Sequence, residues 1–308
     1  MNHFTIKDIA NLCGIKAHTL RIWEQRYPIF IAKRKESLHR VYDNDDLKTL
    51  LRISYLYHHG HKISKIADLS PLQIQELVQN SKEEGCNHEI YIHELLEAGM
   101  DFDKERFEKQ VNCLVMRIGL EKSLTEVFFP FLKRIGILWM TNNLVPAQEH
   151  FISHIIRKKI IVAIDGLEAT ENTSHRFLIF SPPGEYHEIS LLVAHYYLKK
   201  FNNCTVYFGT NVSTGILKQY AAENPASFLY AHVITHMENC GMENYAHNLC
   251  KEFPDKQIIL SGPATKCIRQ KPGNLMILDS IETMKQFAKK RGEQTATLAS
   301  HNSSHLLS

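Results

Sequence analysis

Three absences narrow the reading first. No apolar run approaches the roughly 18 residues of a membrane-spanning helix, and Met1–Ala10, with Lys7 and Asp8, lacks the basic-then-apolar pattern of a signal peptide. The expected location is therefore the cytoplasm, with no membrane partner. Cysteine is sparse and unpatterned: Cys13, Cys86, Cys113, Cys204, Cys240, Cys250 and Cys267 are odd in number and contain no C-x-x-C pair. That argues against a zinc ribbon and a disulfide framework, leaving reduced thiols buried as small hydrophobes. A P-loop, a G-x-G-x-x-G and a Ser-His-Asp order are also missing, and no enzymatic chemistry is expected.

What is present is uneven charge. The 308 residues carry a net +3, yet residues 1–75 hold 12 Lys and Arg against 7 Asp and Glu, a net of +5 that leaves −2 for the rest. A basic head on a mildly acidic body points to a polyanion at the head alone. Hydrophobic content of 44% and charged content of 22% suit a globular chain of two or three domains.

Periodicity divides the chain into three. In the head, Thr5 and Asp8 form a capping-box pattern before Ile6, Ile9, Ala10 and Cys13, and Gly14 stops that helix. A second helix runs from Lys16 to Tyr27 with Leu20, Trp23 and Tyr27 on one stripe, which makes a helix-turn-helix. Ile29–Tyr42, basic in its middle, reads as a β-hairpin wing, and Asp43 caps a third helix. Short helices follow at Ile63–Ala67 and from Ser70-Pro71 to about Asn80. Residues 88–167 show helical spacing throughout and read as a four-helix bundle. Residues 175–291 alternate short apolar runs with helical stretches, the pattern of a flavodoxin-like (Rossmann-like) α/β domain with a parallel sheet covered on both faces. The polar, Ser-rich stretch 292–308 is expected to be disordered.

The second helix places Lys16, His18, Thr19 and Arg21 at its start, where side chains reach base edges or phosphates. The wing adds Lys33, Arg34, Lys35 and Arg40, suited to tracking the phosphate backbone. A small helical domain with a solvated basic face is the plainer alternative. The run Thr19-Leu20-Arg21-Ile22-Trp23-Glu24-Gln25-Arg26-Tyr27, followed by His39-Arg40-Val41-Tyr42 and Asp46-Leu47, decides between them. It resembles the MerR family of transcriptional regulators through residues 4–75, with Pro28 where relatives usually carry Gly and Ser37-Leu38 where a Gly pair is common. The resemblance implies a winged helix-turn-helix over residues 1–75 and double-stranded promoter DNA as partner. Lys16, His18, Thr19, Arg21, Arg26, Tyr27, Arg34, Lys35, His39, Arg40 and Tyr42 become the DNA-binding set. A dimer or tetramer of the chain is the expected binding form, because one short recognition helix makes too few contacts alone. RNA polymerase is a further candidate partner.

The Trp-Glu-x-Arg-Tyr form is similar to the subgroup whose effector half binds cobalamin, the CarH/LitR type. Trp139 and, ten residues on, Glu149-His150 resemble that subgroup's lid over the corrin. Without the family pattern, a Trp at a helix end belongs to a core and a Glu-His pair to a surface. Pro182-Pro183-Gly184-Glu185-Tyr186-His187-Glu188-Ile189-Ser190 follows the first strand and resembles the Asp/Glu-x-His-x-x-Gly motif. The resemblance implies His187 as the cobalt ligand and Glu185 as the carboxylate that fixes its tautomer. Ser190 stands in place of the motif's Gly, Ser261-Gly262 in place of a later Gly-Gly, and Ser213 in place of a loop Ser. Met140 follows the lid Trp where light-sensing members carry His. Adenosylcobalamin is the implied ligand, with light as a further input. The alternatives are a cobalamin-independent regulator that uses this half for protein contacts and, from another class, a corrinoid methyl carrier. His58, His59 and His61 around Gly60, and His232 with His236, do not match a metal-site pattern.

Overall fold

The computed structural model describes residues 4–27, 33–34, 40–80, 88–140, 144–168, 175–235 and 241–305, with backbone only at 33, 34, 40, 79, 80 and 295–305. It divides into two compact units, residues 1–156 and 157–308. The division falls inside one helix.

Unit 1 begins with α1 (Ile6–Cys13), capped as its sequence demands: Asp8 N donates to Thr5 Oγ1 and Thr5 N to Asp8 Oδ2 at 2.8 Å. Helix α2 spans Ala17–Arg26. A two-residue antiparallel ribbon follows, β1 (Lys33–Arg34) with β2 (Arg40–Val41). Asp43 caps α3 (Asn44–His58), with Asp46 closing a second capping box. Helices α4 (Ile63–Ala67) and α5 (Pro71–Asn80) complete the head. Its core joins Phe4, Ile9, Leu12, Leu20, Trp23, Leu47, Leu51 and Leu56, all buried.

The bundle comprises α6 (His88–Met100), α7 (Lys104–Lys122), α8 (Phe129–Met140) and α9 (Pro146–Asp165), the last continuing into unit 2. The spacing-based expectation of four helices holds with one refinement. Gly119, at φ 79° and ψ 161°, breaks α7, and a π-helical turn (Ser123–Phe128) leads into α8. Phe107, Val111, Leu114, Phe128, Phe131 and Ile152 fill the interior.

Unit 2 holds a parallel sheet of order β4-β3-β5-β6-β7, with β3 Phe177–Phe180, β4 Thr205–Gly209, β5 Phe228–His232, β6 Gln257–Ser261 and β7 Leu275–Leu278. Alternate residues serve opposite faces. Leu178, Phe180, Leu229, Ala231, Ile258 and Leu260 share a core with Leu217 of α11 (Thr214–Glu223) and with Met242, Ala246 and Leu249 of α12 (Gly241–Glu252). On the other face, α10 (Ile189–Lys200) and α13 (Ile281–His305) cover the sheet, with Phe287 against Phe177 and the Arg291 guanidinium over Phe228. This is the doubly wound flavodoxin-like order, with a switch point between β3 and β5.

One expectation is overturned. The stretch after Gly292 is helical through His305, as an extension of α13. Gly292 lies inside that helix. A Cβ there would lie 1.9 Å from the Phe201 carbonyl oxygen, so the residue is small because α13 passes closely over the end of α10.

Candidate binding surfaces and the switch-point site

On α2, packing sorts the candidate DNA contacts. Leu20 and Trp23 are buried, while Lys16, His18, Arg21 and Arg26 are exposed and Thr19 and Tyr27 half-buried. The exposed positions therefore form one polar and basic face. Arg34 and Arg40 lie on the paired ribbon strands, whereas Lys35 and His39 fall outside the described residues. Tyr42 needs correcting. It is 1% exposed and its backbone bridges Phe4, so it belongs to the core of the head rather than to a DNA-facing surface. The alternation of the short strand turns it inward.

In the bundle, Trp139 is 47% exposed at the end of α8, with Met140 beside it at 75%. Trp139 therefore does not belong to the core of the bundle. Glu149 and His150 occupy the first turn of α9, His150 Nδ1 lying 3.5 Å from Glu149 Oε2.

The most developed site lies in unit 2, at the carboxyl ends of β3 and β5. Glu185, 1% exposed, sits in the loop after β3. Its Oε1 accepts from His187 N at 2.9 Å and pairs with His187 Nδ1 at 2.6 Å. Its Oε2 accepts from Ile234 N (2.7 Å), Thr235 N (2.8 Å) and Thr235 Oγ1 (2.8 Å), all from the loop after β5. Burial alone would raise this carboxyl's pKa. The His187 contact and the Thr235, His187 and Ile234 backbone N–H groups outweigh it and hold the pKa well below the usual carboxylate range. Glu185 is thus a fixed anion spanning the switch point. Against it His187 presents Nδ1, and the half-exposed ring turns Nε2 away from the carboxylate.

The neighbouring loops are tied in. Asn211, after β4, accepts from Gly184 N at 3.0 Å and donates its own N–H to the Glu185 carbonyl at 3.2 Å. Behind the site, Ser261 is buried, with Oγ 2.6 Å from Tyr230 Oη and 2.8 Å from His232 Nδ1. Burial depresses the His232 pKa to about 4, with opposing influences from Glu185 and His187. Gly262 has φ 99°, and a Cβ on it would lie 2.3 Å from the Val233 carbonyl oxygen, so the close β5–β6 crossing demands glycine. Ser190 is half-buried in the first turn of α10, and Ser213 is exposed at the start of α11.

The structure brings Glu185, His187 and, behind them, Ser261 and Gly262 to one end of the sheet. Sequence reasoning missed Thr235, His232, Tyr230 and Asn211. The available signal was their place just past, or at the carboxyl end of, a strand, where ligands of such sheets bind. The donor set fits a corrinoid: an imidazole whose Nδ1 is held by a buried carboxylate keeps its Nε2 free to face a cobalt centre, which is the right ligand chemistry. Among the described residues, no group of three or more His, Cys, Asp and Glu is arranged to hold a bare metal ion, and no helix is long and apolar enough to cross a membrane.

Comparison with known proteins agrees with this geometry. Residues 4–72 match the MerR HTH family regulatory protein model and residues 91–163 the B12 binding domain model. The chain is 27% identical over 198 residues to the HTH-type transcriptional repressor CarH of Myxococcus xanthus, covering 62% of this chain and 65% of that protein. It is 26% identical over 208 residues to the repressor CarA of the same organism, covering 63% and 64%. The matches therefore span just under two thirds of those relatives' length. A monomethylamine corrinoid protein of Methanosarcina barkeri shares the fold at a TM-score of 0.52 and 13% identity, over 64% of this chain and 95% of that one. The chain joins a MerR-type helix-turn-helix domain to a B12-binding domain and a flavodoxin-like sheet, and it resembles the CarH type of regulator.

Proposed function

We propose that this protein is a DNA-binding transcriptional regulator whose C-terminal half senses a corrinoid, adenosylcobalamin first among them. The observation that carries the sensing half is the Glu185–His187 pair at the sheet's switch point. When bound, cobalamin would supply a cobalt centre able to take an imidazole ligand. His187 Nε2 is the donor, and Glu185 holds the ring in the tautomer that leaves that nitrogen unprotonated. In the bundle, Trp139, Glu149 and His150 are the residues that would offer an apolar ring and polar groups to the ligand. The exposed basic face of α2, with the ribbon at 33–34 and 40–41, meets the duplex. Self-association supplies the second half-site, and the ligand acts by favouring one assembly over another.

The test is a spectral titration of purified protein with adenosylcobalamin in the dark. Wild type is expected to retain the corrinoid on desalting, with the His187→Ala variant showing a different visible spectrum and weaker retention. Identical spectra for the two would remove His187 as ligand, and no retention by wild type would remove the sensing role.

A further inference from the structure

Between the first turn of α9 and the DNA-binding head lies a continuous set of contacts, buried or part-buried except at Lys48–Asp101 and at Tyr57, all within unit 1. Gln148, 4% exposed, precedes Glu149 and His150 and donates from Nε2 to the Met100 carbonyl at 2.8 Å. One turn on, Ile152 packs so tightly on Gly99 that a Cβ there would lie 2.7 Å from Ile152 Cδ1. Both contacts fall on the last turn of α6. The opposite side of that turn faces the head. Glu97, 3% exposed, accepts from Arg52 of α3 twice, at 3.1 and 2.9 Å, and from Arg106 of α7 at 3.0 Å. Asp101 accepts from Lys48 of α3 at 2.7 Å. Helix α3 in turn reaches the helix-turn-helix, with Tyr57 edge-on to Trp23 at 4.8 Å and His58 Nε2 3.2 Å from the Cys13 carbonyl.

We propose that the last turn of α6 is a relay, through which displacement of the first turn of α9 is passed to α3 and so to the recognition helix. Gln148, Glu97 and Asp101 are its positioning residues. The proposal rests on Glu149 and His150 as ligand contacts, since they supply the displacement. Two physical features suit the turn to this work. Two ion pairs, Arg52–Glu97 and Lys48–Asp101, cross the seam with the head, and charges separated there would be taken up by water. The α6–α7 corner also stores strain: Phe102 holds φ 55°, which bulky side chains avoid, while its ring packs at 5.7 Å on Phe151, next to His150.

The test uses the full chain in two arms. In the first, hydrogen exchange is followed without ligand. Gln148→Leu, a change on α9, is expected to accelerate exchange of α3 amides by about tenfold, the size of an ordinary coupling. Because coupling is reciprocal, Lys48→Ala on α3 is expected to accelerate exchange in the first turn of α9. The Lys48–Asp101 pair lies at the edge of the seam, with the Asp101 side chain 39% exposed, so this variant is expected to keep the fold should Gln148→Leu fail to fold. Exchange changes confined to the substituted element and its immediate neighbour would overturn the relay. In the second arm, adenosylcobalamin is added. Both variants are expected to take up corrinoid as wild type does while the ligand's effect on DNA affinity shrinks by about fivefold or more. An undiminished effect would overturn the relay. Failure of wild type to take up corrinoid would count against the ligand reading alone, and the first arm still decides the relay.

Discussion

Two carboxylates, one in each unit, are almost equally buried and are held in opposite ways. Glu97 is met by the guanidinium groups of Arg52 and Arg106. Its charge is cancelled on the spot, and its use is to fix helices relative to each other. Glu185 is met by three backbone N–H groups, one hydroxyl and one imidazole, with no Lys or Arg among its hydrogen-bond partners. Dipoles stabilise its charge without neutralising it, so the anion remains available to orient and polarise His187. In this protein the carboxylate met by cations ties helices together, and the carboxylate met mainly by dipoles fixes a histidine ring.

Substitution breaks the comparison most sharply at Glu97. Glu97→Ala leaves two guanidinium groups without their counter-ion in a largely covered seam and is expected to cost unit 1 about 3–5 kcal/mol, measured by urea denaturation. Adding Arg52→Met is expected to recover part of that loss, because an apolar pair of similar volume tolerates the seam. Glu185→Gln turns an amide N–H toward two donors and is expected to cost unit 2 about 2–3 kcal/mol and to loosen corrinoid binding by about 10–100-fold. The stability deficit should be constant above Glu185's ordinary value of 4.5 and shrink as pH falls below it, since a depressed carboxylate pKa stabilises only where the group is ionised.

Acid titration compares the units by their histidines. Burial lowers His232 to about 4 in unit 2 and, in unit 1, His93 to about 3, there with help from Arg134. Each is neutral when folded, so its contribution is complete above 6.5 and is lost as pH falls to the folded value, by about 1.4 kcal/mol per pH unit. His93→Leu is expected to change neutral-pH stability by only about 1 kcal/mol, because its Nδ1 is buried with no hydrogen-bond partner, and to flatten unit 1's acid limb. The smallest effect belongs to Thr235→Val, which removes one of five donors to Glu185 and should cost about 1 kcal/mol with the site intact.

Much of this was legible in the chain. The capping boxes at Thr5–Asp8 and Asp43–Asp46, the strand runs and the Glu185–His187 pair are local signals, and local signals survive into structure. What escaped depends on distant neighbours. Tyr42 read as a DNA contact beside Arg40, yet its bridge to Phe4 turns it into the core. The stretch from Gly292 read as disordered because it is polar and patternless, and the neighbour that keeps Gly292 small, the Phe201 carbonyl, is 91 positions away in sequence. Thr235 and His232 carry no motif of their own, and only the parallel pairing of β3 with β5 brings them beside Glu185.

The most direct measurement is salt-dependent retention of promoter DNA by the full chain, in the dark, with and without adenosylcobalamin, for wild type and His187→Ala. The account predicts that corrinoid changes wild-type affinity severalfold or more, the range of ordinary coupling, and leaves His187→Ala much less responsive while its corrinoid-free DNA binding is unchanged. Equal affinity with and without corrinoid in wild type, despite demonstrated uptake, would contradict it.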